Sequence, residues 1–369
     1  MKDRVLLAQG NGGVENSELI KVFLKHFDNA YGSEDAGLFG ESAFESSAKS
    51  ALKSSAKIGE SSESSVESPE SNTKKYATSI DSFTITPIFF SGGDIGKLSI
   101  CGSANDVAVM GAKPKYLSAS FIIEEGFKIA DLEKIAHSMA VEMKNAGIAL
   151  ISADTKVIER RDNNASNIDS GGIFITTAII GEVLASGISA KNLRNGDSII
   201  VSGNVGTHGA CIYCEREGIN LEHSLQSDCA NLWGLVELLI KSDIEIHAIR
   251  DATRGGIAST LNEWARASNC AIEISEGAIP ISAEVRGVCE ILGIDALSLA
   301  NEGVCVIAVP SECADKVVAL LKSHELGKNA QIIGFVDSEN ATNCVVLKSD
   351  LGIKRYLEYP QGEILPRIC

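Results

Sequence analysis

The 369-residue sequence ends in Pro366-Arg367-Ile368-Cys369. A thiol at a chain end is badly placed for structural work, because termini are where order is lowest. It is well placed for chemistry, because a thiolate is a strong nucleophile and a tail can carry it from place to place. The residues before it therefore read as a machine acting on whatever Cys369 carries; chance termination on a cysteine is the competing reading. A second set of reactive groups is the aspartates that recur beside small residues: Asp35, Asp81, Asp94, Asp106 and Asp154. Singly, each reads as a helix cap or turn. As a set they suit Mg2+, which takes a few carboxylates together with nucleotide phosphates. Asp106 follows Asn105 inside a small-residue, apolar helix, and a buried carboxylate there needs a partner.

Lys156 stands two residues past Asp154, where it can pair with that acid, reach a phosphate or reacting group, or simply lie on the surface. Arg250-Asp251-Ala252-Thr253-Arg254-Gly255-Gly256 leads into a helix. Thr253 or Asp251 can cap that helix, its N-terminus suits an anion, and Arg254 can clamp a phosphate. Gly203-Asn204-Val205-Gly206-Thr207-His208-Gly209 is another glycine-rich turn; His208 reads as a substrate contact or as a satisfied structural histidine. Asn301-Glu302-Gly303 precedes an apolar strand, where Glu302 reads as a general base or as part of a capped turn.

The elements that must hold these groups alternate in kind. Helical spacing marks 95–110, 130–145, 208–217, 228–241, 255–268, 281–292 and 312–324. Strand-like runs fall at 83–90, 116–123, 148–152, 172–180, 198–202, 271–275, 304–309, 331–336 and 344–347. Residues 41–72 differ: twelve of these 32 are Ser, too few apolar groups to repay chain entropy, so a flexible insertion is expected. The fold class expected is α+β in two domains, 1–185 and 186–350, with a crevice site between them and a mobile tail over 351–369.

Bulk properties narrow the function. The net charge of −16 argues against a nucleic-acid partner. No apolar run is long enough to span a membrane and no signal peptide is evident. Ten cysteines without a disulfide-like framework suit a reducing, cytoplasmic setting. The close pair Cys211 and Cys214, without a second pair, reads as packed thiols.

Phe89-Phe90-Ser91-Gly92-Gly93-Asp94, Ala104-Asn105-Asp106-Val107-Ala108, Asp154-Thr155-Lys156, the 250–256 motif, Asn301-Glu302-Gly303 and the final Pro-Arg-Ile-Cys resemble the HypE family of hydrogenase maturation proteins. That family lies within the aminoimidazole-ribonucleotide-synthetase-like (PurM-like) superfamily. The resemblance implies a PurM-like fold and a homodimer. It also implies an ATP-dependent carbamoyl dehydratase that makes cyanide ligands for the iron of [NiFe] hydrogenase. HypF would load a carbamoyl group on Cys369, and a HypC–HypD complex would accept the cyano group. Lys156 and Glu302 would bind the carboxamide and take its protons. Asp81, Asp106 and Asp154 would hold Mg2+. Asn105, Asp251, Thr253, Arg254, Gly255 and Gly256, with Asp35 and His208, would line the ATP site. The family's usual residues are replaced at Ala153, Thr207 and Val304-Cys305. Two alternatives stand beside this reading: a related ATP-using enzyme acting on a free small molecule, and a non-catalytic carrier whose tail docks on a partner.

Overall fold

The computed structural model describes residues 36–40, 74–159, 172–219, 225–339 and 342–360. Asp35, the serine-rich insertion and Cys369 lie outside the described residues.

The first sheet runs in the order β1 (Gly37–Gly40), β2 (Lys75–Phe83), β7 (Ile173–Val183), β5 (Ala112–Glu124) and β6 (Ala149–Ile158). Only β5 and β6 are parallel. They are joined through α2 (Ile129–Ala146), whose end is closed by Gly147 in the left-handed region at φ +67°. The sequence pattern places a strand at 83–90, but the strand is β2, paired along its length with β7. Pro87 cannot donate to a ladder, and only a two-residue ribbon, β3 (Phe89–Phe90) with β4 (Gly93–Asp94), follows.

The second sheet runs β14 (Lys354–Leu357), β13 (Val345–Lys348), β10 (Ala271–Ser275), β12 (Gln331–Asp337), β8 (Ser198–Val201), β11 (Cys305–Val309) and β9 (Ala248–Asp251). Its helices are α3 (Thr207–Glu217), α4 (Trp233–Ile240), α5 (Gly256–Ala267), α6 (Ala283–Leu292) and α7 (Ala314–Lys322). Two strands differ from the sequence expectation. β9 is absent from it because four residues ending in Arg250 and Asp251 carry little pattern; pairing with β11 makes them a strand. β14 falls inside the segment expected to be a mobile tail. It pairs with β13, and Leu357 is buried, so part of the segment starting at 351 belongs to the sheet.

Between the two sheets lies α1 (Ile95–Val109), buried along nearly its whole length. Asp94 caps it: Oδ1 accepts from the backbone N–H of Gly96 at 2.7 Å and Lys97 at 3.0 Å. The small residues of α1 allow close approach on every side. A β-carbon at Gly96 would stand 2.5 Å from the carbonyl oxygen of Ile135 in α2. One side of α1 packs on β2, β7 and β5, and another meets β9 and α4. The helix is thus the seam of the molecule. None of the described helices is long and apolar enough to cross a membrane.

Candidate active site

Four carboxyl groups from both halves act on one another beside α1. Glu302 is 2 % exposed. Its Oε2 lies 3.9 Å from the place a β-carbon would take on Gly102. Burial pushes its carboxyl well above the usual range, reinforced by Asp251, Asp228, Asp81 and the Cys101 thiol. Asp251, at the end of β9, is pushed up to about 6, chiefly by burial; the positive charges of Arg250 and Arg254 oppose the shift and Asp81 adds to it. The Asp251 Oδ2 is buried with no hydrogen-bond partner among the described residues. Asp228 is also pushed up to about 6 by burial. Burial and neighbouring acids raise the proton affinity of Glu302, Asp251 and Asp228, and an arriving positive charge would lower it.

Glu302 is placed by its backbone. Asp228 Oδ1 and Oδ2 accept its N–H at 3.2 and 3.3 Å. Its carbonyl accepts from Asn105 Nδ2 at 3.2 Å and from the N–H of Ala230 at 3.2 Å. Asn301 knits the same turn: Oδ1 accepts the N–H of Gly206 at 2.6 Å, and Nδ2 donates to the carbonyl oxygen of Ala252 at 2.9 Å.

Several of the residues singled out in the sequence are engaged within the fold. Asn105 is fully buried. Besides Glu302, Nδ2 donates to the carbonyl oxygen of Ala230 at 3.0 Å, and Oδ1 accepts from the N–H of Leu232 at 2.8 Å. Its amide ties the two halves together and has no donor left for a nucleotide. His208 is fully buried in α3; Nδ1 meets Ser227 Oγ at 2.8 Å and the ring packs edge-on against Phe90. Asp106, next in sequence to Asn105, is half-buried and accepts from Ser79 Oγ. Cys211 and Cys214 are buried thiols, the first pushed up to about 12 by burial.

The start of α5 differs from the expected cap. No side chain closes its first turn; Gly255, at φ +75°, is the cap residue. Gly256, at φ +58°, packs on the chain itself: a β-carbon there would lie 2.5 Å from the carbonyl oxygens of Leu297 and Leu299. Thr253 and Arg254 stand at this open helix end, half-buried and exposed respectively.

Asp154 and Lys156 lie elsewhere. They were read as following a strand over 148–152, but β6 continues through Ile158 and contains both. Asp154 shares a row with Ser120, Thr176 and Ser82, whereas Asp81 shares one with Thr177 and Ala119. Neighbouring rows of a sheet point to opposite faces, and three strand spacings amount to roughly 14 Å. One chain therefore does not bring Asp154 to Asp81 and Asp106, and no three His, Cys, Asp or Glu among the described residues are grouped to hold a metal. Asp154 and Lys156 form an exposed ion pair at 3.2 Å, and the hydrogen bond from Lys156 holds the Asp154 carboxyl below its ordinary range. Their face of the sheet also shows Ile80, 63 % exposed, with Tyr116, Ile122 and Phe174.

Asp228 is the residue the sequence reading missed. It falls where the pattern extends a helix over 228–241, in which an acid at the start reads as a cap. The helix begins at Trp233, and Asp228 instead lies in a loop folded under Glu302. No local signal marks it.

Residues 64–183 match the N-terminal domain and residues 194–346 the C-terminal domain of the AIR synthase related proteins. The two-sheet fold with its seam of acids is thus that of a PurM-like protein. Carbamoyl dehydratase HypE of Escherichia coli (strain K12) is 48 % identical over 297 residues, spanning 80 % of this chain and 85 % of that one. The chain in a solved HypE–HypF complex superposes with a TM-score of 0.77 at 38 % identity, covering 93 % of this chain and 99 % of that one. A solved HypE in complex with ATP gives 0.74 at 37 % identity, covering 99 % and 100 %. The chain belongs to the HypE family of hydrogenase maturation proteins.

Proposed function

We propose that the protein is an ATP-dependent carbamoyl dehydratase acting on Cys369. A carbamoyl group delivered by HypF forms a thiocarbamate on the thiol. Its amide oxygen attacks the γ-phosphorus of ATP, and ADP leaves. Removal of the N–H protons and cleavage of the C–O bond release inorganic phosphate and leave a cyano group on sulfur. A HypC–HypD complex then accepts the cyano group for the [NiFe]-hydrogenase iron. The names of the relatives support this reading: one is a carbamoyl dehydratase, one is bound to ATP and one is complexed with HypF.

The observation that carries it is Glu302, buried at the seam and clamped by its backbone, with its proton affinity raised by burial and by the acids around it. Glu302 becomes a base when positive charge reaches Asp251 and Asp81. The orphaned Oδ2 of Asp251 fits Mg2+, which needs only one or two protein carboxylates when phosphates supply the rest. Asp81 and Asp251 would hold it, and it would neutralise the phosphate oxygens. The open start of α5, with Thr253, Arg254, Gly255 and Gly256, would face the phosphates.

Lys156 cannot serve this seam from its own chain. The uncovered face around Ile80 and Phe174 fits a second copy stacked sheet on sheet, and a homodimer of that kind would put Lys156 against its partner. The test is mass spectrometry of Cys369 after incubation with HypF, carbamoyl phosphate and ATP. A carbamoyl adduct should appear and then lose the mass of one water, and Cys369→Ala should show neither. Absence of both adducts on the unaltered protein would overturn the reading.

A further inference from the structure

The loop that includes residues 228–230 grips Glu302 from both sides of its backbone. On the amide side, the Asp228 carboxylate takes the N–H of Glu302 and, at 3.2 Å through Oδ2, the N–H of Gly303. On the carbonyl side, the N–H of Ala230, two residues further on, donates to the Glu302 oxygen. One half-buried carboxylate therefore joins its own loop to the Asn301–Gly303 turn. The fit is tight: a β-carbon on Gly303 would fall 1.9 Å from the Asp228 carbonyl oxygen. With both ends of the residue fixed, only the side-chain torsions of Glu302 remain to be set, and α1 covers the carboxyl at Gly102.

A carboxylate, even half-buried, is an expensive way to hold a turn. Its own proton affinity is raised by burial despite the N–H groups it accepts. Two backbone N–H groups of a buried turn can be satisfied by a neutral acceptor at lower cost. What a carboxylate adds is two oxygens in a fixed plane, which fix both the position and the tilt of the Glu302 peptide.

We propose that Asp228 is a positioning residue for Glu302, holding the base in register with the seam. The inference rests on the reading of Glu302 as the group that takes the carboxamide proton. Asp228 itself touches no reacting atom. The other groups acting on Glu302, namely Asp251, Asp81 and Cys101, stay in place when Asp228 is changed.

The experiment is single-turnover dehydration on protein whose Cys369 has been carbamoylated by HypF, with nucleotide affinity measured in parallel. Asp228→Ala should slow dehydration by about 10- to 100-fold, the usual effect of displacing a catalytic group by an ångström or less, while ATP affinity and carbamoyl loading stay within about twofold of the unaltered protein. Asp228→Asn keeps only one of the two oxygens and should restore part of the rate, to a value between the alanine variant and the unaltered protein. Gly303→Ala breaks the clamp from the other side with Asp228 intact, and should behave as Asp228→Ala does. Should Asp228→Ala fail to fold, the Asn and Gly303 variants carry the test. Unchanged dehydration in Gly303→Ala would overturn the proposal. So would Asp228→Asn slowed as much as Asp228→Ala, or ATP affinity lost in step with rate. Dehydration at the normal rate in Glu302→Gln would overturn the underlying reading of Glu302 instead.

Discussion

Replacing Asp251 by Asn should make the protein's stability respond differently to pH, by an amount the structure sets. An aspartate in an unfolded chain ionises near 3.8; in the fold Asp251 holds its proton up to about 6 because it is buried. Between those values the folded state binds more protons than the unfolded one, so stability falls as pH rises through that window and the loss is complete above it. From pH 4.5 to pH 7.5 this group alone costs about 2 kcal/mol. The Asn variant has no such dependence. Its amide faces a buried spot where Oδ2 already lacks a partner, a penalty of about 1 kcal/mol that does not vary with pH. The difference between variant and unaltered protein should therefore drift by about 2 kcal/mol in favour of the variant across that range. Loss of the Asp251 charge also lowers the proton affinity of Glu302, which adds to the drift with the same sign. Urea titrations at three pH values, without nucleotide or divalent cation, measure it. Parallel stability curves would refute the raised proton affinity of Asp251. Adding Mg2+ and ATP at pH 7.5 should stabilise the unaltered protein more than the variant, because the ligand takes up the charge that burial penalises.

Other perturbations separate the roles of the remaining residues. Lys156→Ala removes one half of an exposed ion pair, so stability should change by less than about 0.5 kcal/mol; dehydration should fall at least about tenfold if a partner's site uses it. Phe174→Asp puts a charge on the uncovered sheet face; if two copies stack there as proposed, it should shift sedimentation towards monomer. A dimer unchanged in mass would exclude that face as the contact. Gly256→Ala forces a β-carbon to within 2.5 Å of two carbonyl oxygens at φ +58°, and should lower stability by about 2 kcal/mol or more, read as a lower urea midpoint.

Family and fold class were legible in the sequence because they are written in local terms. Helical periodicity marked α2, and apolar runs marked β8 and β11. Motifs such as Asn301-Glu302-Gly303 and the terminal Pro-Arg-Ile-Cys carried the resemblance to the HypE family. Glu302, a candidate site residue in the sequence, lies buried at the seam.

The tertiary structure alone decided what each acid does. Asp94 and Asp228 look alike on the page, yet one caps α1 and the other holds Glu302 across 74 residues of sequence. The sequence groups Asp154 with Asp81, and the register of the sheet puts the two on opposite faces. Asn105 and His208 are wholly buried and hydrogen-bonded within the fold. The reason is physical. Residue types and spacing report propensity and periodicity, which act over a few residues. The proton affinity of a carboxyl depends on the burial and the charges around it, and here those come from strands and helices that meet only in the fold.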